Sequence, residues 1–200
     1  MKQIVHKIKE IESPDVSIHI YSIKDRKLIE SLNSEMTIPL ASSAKLVIAF
    51  CVAKWVEEES IMWSDIIEGV KLNPNEDSHI LYPHLQGRKS LSLYESVEVM
   101  IACHDSFVAN GIVEFCGGWD KMNFKINSYF PNIRVTENPR DIANEGVVSQ
   151  FLKILCSINE GYEKNPFIWA PIMNGLVRQQ DFIHGIHNHL VNHMTGGLEQ

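Results

Sequence analysis

Pro39-Leu40-Ala41-Ser42-Ser43-Ala44-Lys45 runs directly into Leu46-Val47-Ile48-Ala49-Phe50-Cys51-Val52-Ala53, the longest apolar run in the chain. From Ser42 to about Glu57 nearly every position is apolar, whichever helical face it would occupy, which predicts a helix buried on most sides. Lys54 ends the uninterrupted run after eight residues, far short of the ~18 to 20 that a bilayer-crossing helix needs. Such a helix belongs at the centre of a globular fold, and its first turn carries chemistry. One turn brings the Lys45 amine beside the Ser42 hydroxyl. Burial disfavours the ammonium and lets the amine accept a proton, while the positive end of the helix steadies a developing alkoxide. Ser-x-x-Lys also occurs at helix starts by chance, so the rest of the chain has to support the reading.

Working outward, Val16, Ile18 and Ile20 alternate with Ser17, His19 and Tyr21. Lys24-Asp25-Arg26 turns and Lys27 to Glu30 returns, the pattern of a β-hairpin. Residues 69 to 90 read as loop, with Asn73-Pro74-Asn75 and Tyr82-Pro83. Ser92-Leu93-Tyr94-Glu95 has capping-box spacing and predicts a helix to about Cys103. A further helix is expected from about Phe107 to Phe115, stopped by Gly117-Gly118. Asn144 is placed to cap a helix over 146 to 157. A last helix is expected over 167 to 179, and a strand over Leu190 to Thr195. Strands at both ends with helices between them give an α+β fold, and the absence of repeats or low-complexity linkers favours one domain over 1 to 200.

Composition narrows the function classes. With 200 residues and 44% hydrophobic content, the chain can fill a core and is not a disordered polymer. Eighteen basic against 25 acidic side chains give a net charge of −7 without a basic stripe, which argues against nucleic acid as a partner. The N-terminus lacks the apolar core of a secretion signal, so the expected location is the cytoplasm, with no membrane partner. Cys51, Cys103, Cys116 and Cys156 sit apart among apolar neighbours and read as reduced core residues. The four tryptophans, Trp55, Trp63, Trp119 and Trp169, read as core or rim packing.

Four segments, in order, resemble the class A β-lactamase-like serine hydrolases, relatives of the penicillin-binding DD-peptidases. Pro39 to Lys45 resembles the nucleophile segment, and Ile101-Ala102-Cys103-His104-Asp105-Ser106-Phe107-Val108-Ala109-Asn110 the Ser-Asp-Asn segment. Leu176-Val177-Arg178-Gln179-Gln180 is similar to the helix before the last motif, and His193-Met194-Thr195-Gly196-Gly197 to the Lys-Thr-Gly strand. The resemblance implies a helical subdomain packed against an antiparallel sheet, and acyl transfer through a Ser42 ester with Lys45 as base or relay. It places the oxyanion between the amides of Ser42 and Gly197, and the substrate against Ser106, Thr195 and Gly196. It calls for no cofactor. The implied partner is a small amide or ester, with β-lactams among the candidates.

Three departures qualify what the resemblance implies. His104 replaces the serine that hands a proton to the leaving nitrogen; imidazole can take that role, or His104 lines the cleft as a structural residue. Asp105 is expected to bond backbone amides. Met194 stands in place of the lysine that receives a substrate carboxylate, and a thioether cannot replace an ammonium. In Val135-Thr136-Glu137-Asn138-Pro139-Arg140-Asp141, Glu137 is followed directly by Asn138. This breaks the spacing of a water-activating loop, so Glu137 reads as a solvated carboxylate and fast release of a penicilloyl group is not expected. The family continues beyond its Lys-Thr-Gly strand, so the sequence reads as C-terminally truncated; if it ends at Gln200, a strand-swapped dimer is the alternative. His184, His187, His189 and His193 have no accompanying ligand pattern and read as a polar stretch, without a metal site. Two functions follow: a serine acyl hydrolase with altered leaving-group machinery, or a pseudoenzyme that uses the fold for binding.

Overall fold

The computed structural model describes residues 2–179 and Met194. Helix α1 (Lys2–Lys9) precedes the hairpin of β1 (Ile18–Ser22) and β2 (Lys27–Leu32), which pair antiparallel with Ile18 opposite Leu32. The register slips between Ile20 and Tyr21, and all five β1 residues are half-buried. The alternation in the sequence therefore marks the strand correctly but does not divide it into a dry and a wet face.

The short strand β3 (Thr37–Pro39) leads through a tight turn, Ala41–Ser43, into helix α2 (Ala44–Glu57). Eleven of the 14 residues of α2 are buried, as the all-round apolar pattern requires. Around it lie β4 (Ile66–Glu68), α3 (Ser78–Leu81), β5 (Ser90–Ser92), α4 (Leu93–Ala102), α5 (Ser106–Phe115) and α6 (Trp119–Asn127). The expectation of loop over 69 to 90 is corrected here: the stretch contains α3, a second tight turn at Pro83–Leu85 and the start of β5, which pairs antiparallel with β4. These pieces are too short for hydrophobic periodicity to show them. Helix α6 also went unpredicted; its Gly118 N-cap, at φ 92, leaves no side-chain cap to read.

The Ser92–Glu95 capping box forms as expected: Glu95 N donates to Ser92 Oγ at 3.2 Å and Ser92 N to Glu95 at 2.8 Å. The strands β6 (Ile133–Arg134) and β7 (Glu145–Val147) complete a three-stranded antiparallel sheet in the order β3-β7-β6. Its central strand passes so close to its neighbours at Gly146 that a Cβ there would lie 3.2 Å from both Ile133 and Leu40. Helices α7 (Val148–Lys164) and α8 (Pro166–Arg178) follow. Asn144 does not cap α7, whose N-cap is Val147; its side chain instead donates to the carbonyls of Ala41 and Pro139.

Helix α8 lies tightly on α4 because Gly175 has no side chain: a Cβ there would sit 2.7 Å from Ile101 Cβ and 3.1 Å from the Glu98 carbonyl. Along the same seam, buried Glu98 accepts hydrogen bonds from Tyr82, Asn174 and Arg178. A carboxylate in that setting has its lone pairs satisfied, which fixes how α8 sits on α4. Among the described residues no helix is long and apolar enough to cross a membrane. The expected strand over Leu190 to Thr195 lies outside the described residues, Met194 excepted.

Candidate active site

The antiparallel β3–β7 pair delivers the chain to Ala41, whose backbone stands at φ 46. Non-glycine residues enter this left-handed region at a cost, which surrounding bonds must offset. The offset is visible: Asn144 Nδ2 donates to Ala41 O at 3.2 Å, and Leu40 N donates to Asn144 O at 2.9 Å. This strained link ends in the turn that presents Ser42, two residues before the first residue of the α-helix in which the sequence had placed it. Lys45, in the first turn of α2, still reaches it, with Nζ 3.3 Å from Ser42 Oγ.

Lys45 is 3% exposed. Burial lowers its pKa from the ordinary lysine value, and the charges of Glu76 and Asp105 oppose that shift. Glu76 is in turn pushed up by its own burial, with Lys45 opposing and Asp105 and Asp77 reinforcing. Asp105 is fully buried and does what the sequence suggested. Its Oδ1 accepts from the amides of Phe107 and Val108, capping α5, and its Oδ2 accepts from Asn73 N at 2.8 Å. Asn73 in turn reaches Ser106 Oγ at 3.5 Å. The loop carrying Asn73 and Glu76 is thus tied down over the Lys45 side of the site.

A small cavity of about 20 Å³, room for roughly one water, is lined by Lys45, Ser106, Asn110, Trp119 and Glu137. Glu137 is exposed, as expected of a loop carboxylate, yet it faces this cavity and accepts from Asn110 at 3.5 Å.

His104, which directly precedes Asp105, is a second residue with positive φ, at 55. Its Nε2 lies 3.3 Å from Gln179 Oε1. Gln179, just past the end of α8, donates to Ile101 O at 3.0 Å and contacts Met194 Sδ at 2.8 Å. Arg26, Asn33 and Glu59 also have positive φ, but all three are exposed turn residues. Among the described residues, the non-glycine positions with positive φ that are buried or half-buried are Ala41, which precedes Ser42, and His104, which precedes Asp105.

The model of the β-lactamase enzyme family matches residues 2–161. The chain belongs to the β-lactamase enzyme family. Among solved structures, a β-lactamase from Chitinophaga pinensis superposes with a TM-score of 0.72 at 17% identity, over 90% of this chain and 70% of that one. An ancestral class A β-lactamase gives 0.70 at 17% identity, over 89% and 72%. A PBP-A variant, solved as an acyl-enzyme complex with penicillin G, gives 0.69 at 17% identity, over 89% and 68%. At these identities the likeness establishes the fold. No curated protein matches the sequence.

Within this β-lactamase fold, the residues singled out from sequence are distributed unevenly. Lys45 and Ser106 line one cavity, Ser42 contacts Lys45, and His104 directly precedes Asp105 and Ser106 in the chain. Thr195, Gly196 and Gly197 lie outside the described residues, as do His184, His187, His189 and His193. Sequence reasoning passed over Glu76, and gave Asn73 only a turn and Asn144 only a helix cap. It also passed over Gln179 as more than part of a helix. The Asn73-Pro74-Asn75 turn signal was the one hint that the first loop is ordered. The four cysteines are free thiols, and burial pushes Cys103 and Cys116 up to about 12, which makes them poor nucleophiles at neutral pH.

Proposed function

We propose that this chain is a serine acyl hydrolase of the β-lactamase family that cleaves an amide or ester through a Ser42 acyl-enzyme. The observation that carries the reading is the 3.3 Å contact between Ser42 Oγ and the amine of Lys45, a lysine only 3% exposed and lowered in pKa by burial. A neutral Lys45 takes the Ser42 proton as Oγ bonds to the substrate carbonyl carbon, and the backbone amide of Ser42 faces the developing oxyanion, with Gly197 as its partner donor. The Lys45 ammonium passes this proton on to His104, which delivers it to the leaving atom as the C–N or C–O bond breaks. Ser106, Thr195 and Gly196 contact the substrate.

The substrate is one that does not depend on a carboxylate anchor. Met194 occupies the motif position of a cation. Arg178 is itself engaged by Glu98 and Tyr82. Penicillins are therefore slow substrates, and water attack on the acyl-enzyme falls to the small cavity between Lys45 and Glu137.

A fluorophosphonate reporter reacting with Ser42 tests this. Stoichiometric labelling that disappears in Ser42→Ala supports the hydrolase. A folded protein that stays unlabelled and cleaves no activated ester contradicts it and leaves the fold to a binding role.

A further inference from the structure

We propose that Gln179 is a positioning residue that fixes the tautomer of His104, so that its neutral imidazole carries hydrogen on Nε2 and exchanges protons through Nδ1. The argument starts from the amide. Gln179 Nε2 faces two groups that can only accept, the Ile101 carbonyl at 3.0 Å and the Met194 thioether at 2.8 Å. Turning the amide over would set its oxygen against both acceptors and leave the Ile101 carbonyl without this donor. The orientation is therefore determined, and Oε1 is the atom presented to His104 Nε2 at 3.3 Å. An amide oxygen has no proton to give, so Nε2 must donate and Nδ1 holds the lone pair.

Two features of the fold hold this chain of contacts in place. Gln179 is 7% exposed and follows α8 directly; α8 is held on α4 by the close approach at Gly175 and by the bonds to Glu98. His104 sits at the end of α4, its backbone turned to φ 55. The ring is thus pinned at Nε2 by a partner reaching from the other helix. Met194 contributes by accepting from the second amide hydrogen. Where a lysine would add a charge, the thioether completes the alignment of a neutral amide.

The consequence for chemistry rests on the acyl-transfer reading. The proton that Lys45 takes from Ser42 passes to His104 at Nδ1, gives an imidazolium still bonded to Gln179 through Nε2, and leaves from Nδ1 to the departing nitrogen or oxygen. The starting tautomer is then restored without ring rotation.

Nitrogen-15 NMR of the imidazole in the intact protein tests the assignment without requiring any turnover. Above its titration midpoint, His104 should show Nε2 as the hydrogen-bearing nitrogen and Nδ1 as the lone-pair nitrogen. Gln179→Met, close in volume but with no acceptor oxygen, should lose that preference and give a tautomer mixture. Gln179→Glu, which keeps an acceptor but cannot donate to Ile101, should retain it even as stability falls. A purely structural role for Gln179 would make the two variants alike in tautomer and different from the parent only in stability. The Nδ1–H form in the parent protein, or an unchanged tautomer in folded Gln179→Met, would overturn the proposal. Ser42 labelling is scored on the same samples: loss of labelling with the Nε2–H form intact counts against the hydrolase and not against this assignment.

Discussion

On one side, Ser42 Oγ lies within hydrogen-bond reach of the buried Lys45 amine, and Asp105 binds the amides of Asn73, Phe107 and Val108. On the other, His104, Gln179 and Met194 form a chain with one imidazole, one amide and one thioether, and no permanent charge. The first side retains the residue types that the family resemblance calls for; the second has replaced two of them. Under the proposed function, the contrast means that nucleophile activation and leaving-group handling can be altered separately. The first needs a desolvated amine against a hydroxyl, which α2 supplies from its own first turn. The second needs parts of the chain far apart in sequence to converge, and there a different set of side chains has been fitted together.

The largest effect expected from breaking the first side is in Lys45→Met. Ester acylation of Ser42 should fall by about 10² to 10⁴-fold, the range of a lost general base, measured as the labelling rate under single-turnover conditions. The parent protein should show a rate that rises with pH and levels off below the ordinary lysine value, because burial lowers the pKa of Lys45. Stability gives a second check. Between the lowered folded pKa and the unfolded value near 10.4, the unfolded chain holds more protons, so stability rises with pH across that window. Lys45→Met should remove that slope in urea titrations.

Asp105→Ala should come next. It removes the cap of α5 and strands the amide of Asn73, and is expected to cost about 3 kcal/mol of folding stability by urea denaturation. Gly175→Ala then acts on the second side alone. A methyl group 2.7 Å from Ile101 Cβ must push α8 off α4, at a cost of about 1 to 3 kcal/mol, and should loosen Gln179 from His104 without changing the Lys45 pH dependence. The smallest effect is a gain: Met194→Lys should raise the acylation rate by carboxylate-bearing β-lactams, relative to that by neutral esters, roughly tenfold at low salt and less at high salt. Equal gains for neutral and anionic acyl donors would show that charge is not what the second side lacks.

The legible parts of the sequence were those with a local signature. The apolar run after Lys45, the Ser92–Glu95 box and the glycine pair after Phe115 each express a rule that acts within a few residues, and each element formed. The approach of Lys45 to Ser42 follows from one turn of helix, but its reading as chemistry rested on the resemblance of four segments together. The amide-bonding role of Asp105 was likewise implied by the resemblance. What stayed hidden depends on tertiary approach. The β4–β5 pair is three residues long on each strand, too short for period-two alternation to register. Asn144 has the composition of a helix cap, but the strained turn at Ala41 takes its amide instead. Gln179 gains its meaning from Ile101 and His104, more than 70 positions earlier in the chain, and from a helix crossing that only the missing side chain of Gly175 permits.

The account is tested most directly by following the intact mass of the protein over time after mixing with an activated ester and, separately, with penicillin G. The expected result is an acyl adduct on Ser42 from both, formed faster with the ester, with the penicilloyl adduct persisting long after the ester adduct has turned over. Absence of any adduct on folded protein, or an adduct that survives Ser42→Ala, would contradict the assignment of Ser42 as an activated nucleophile.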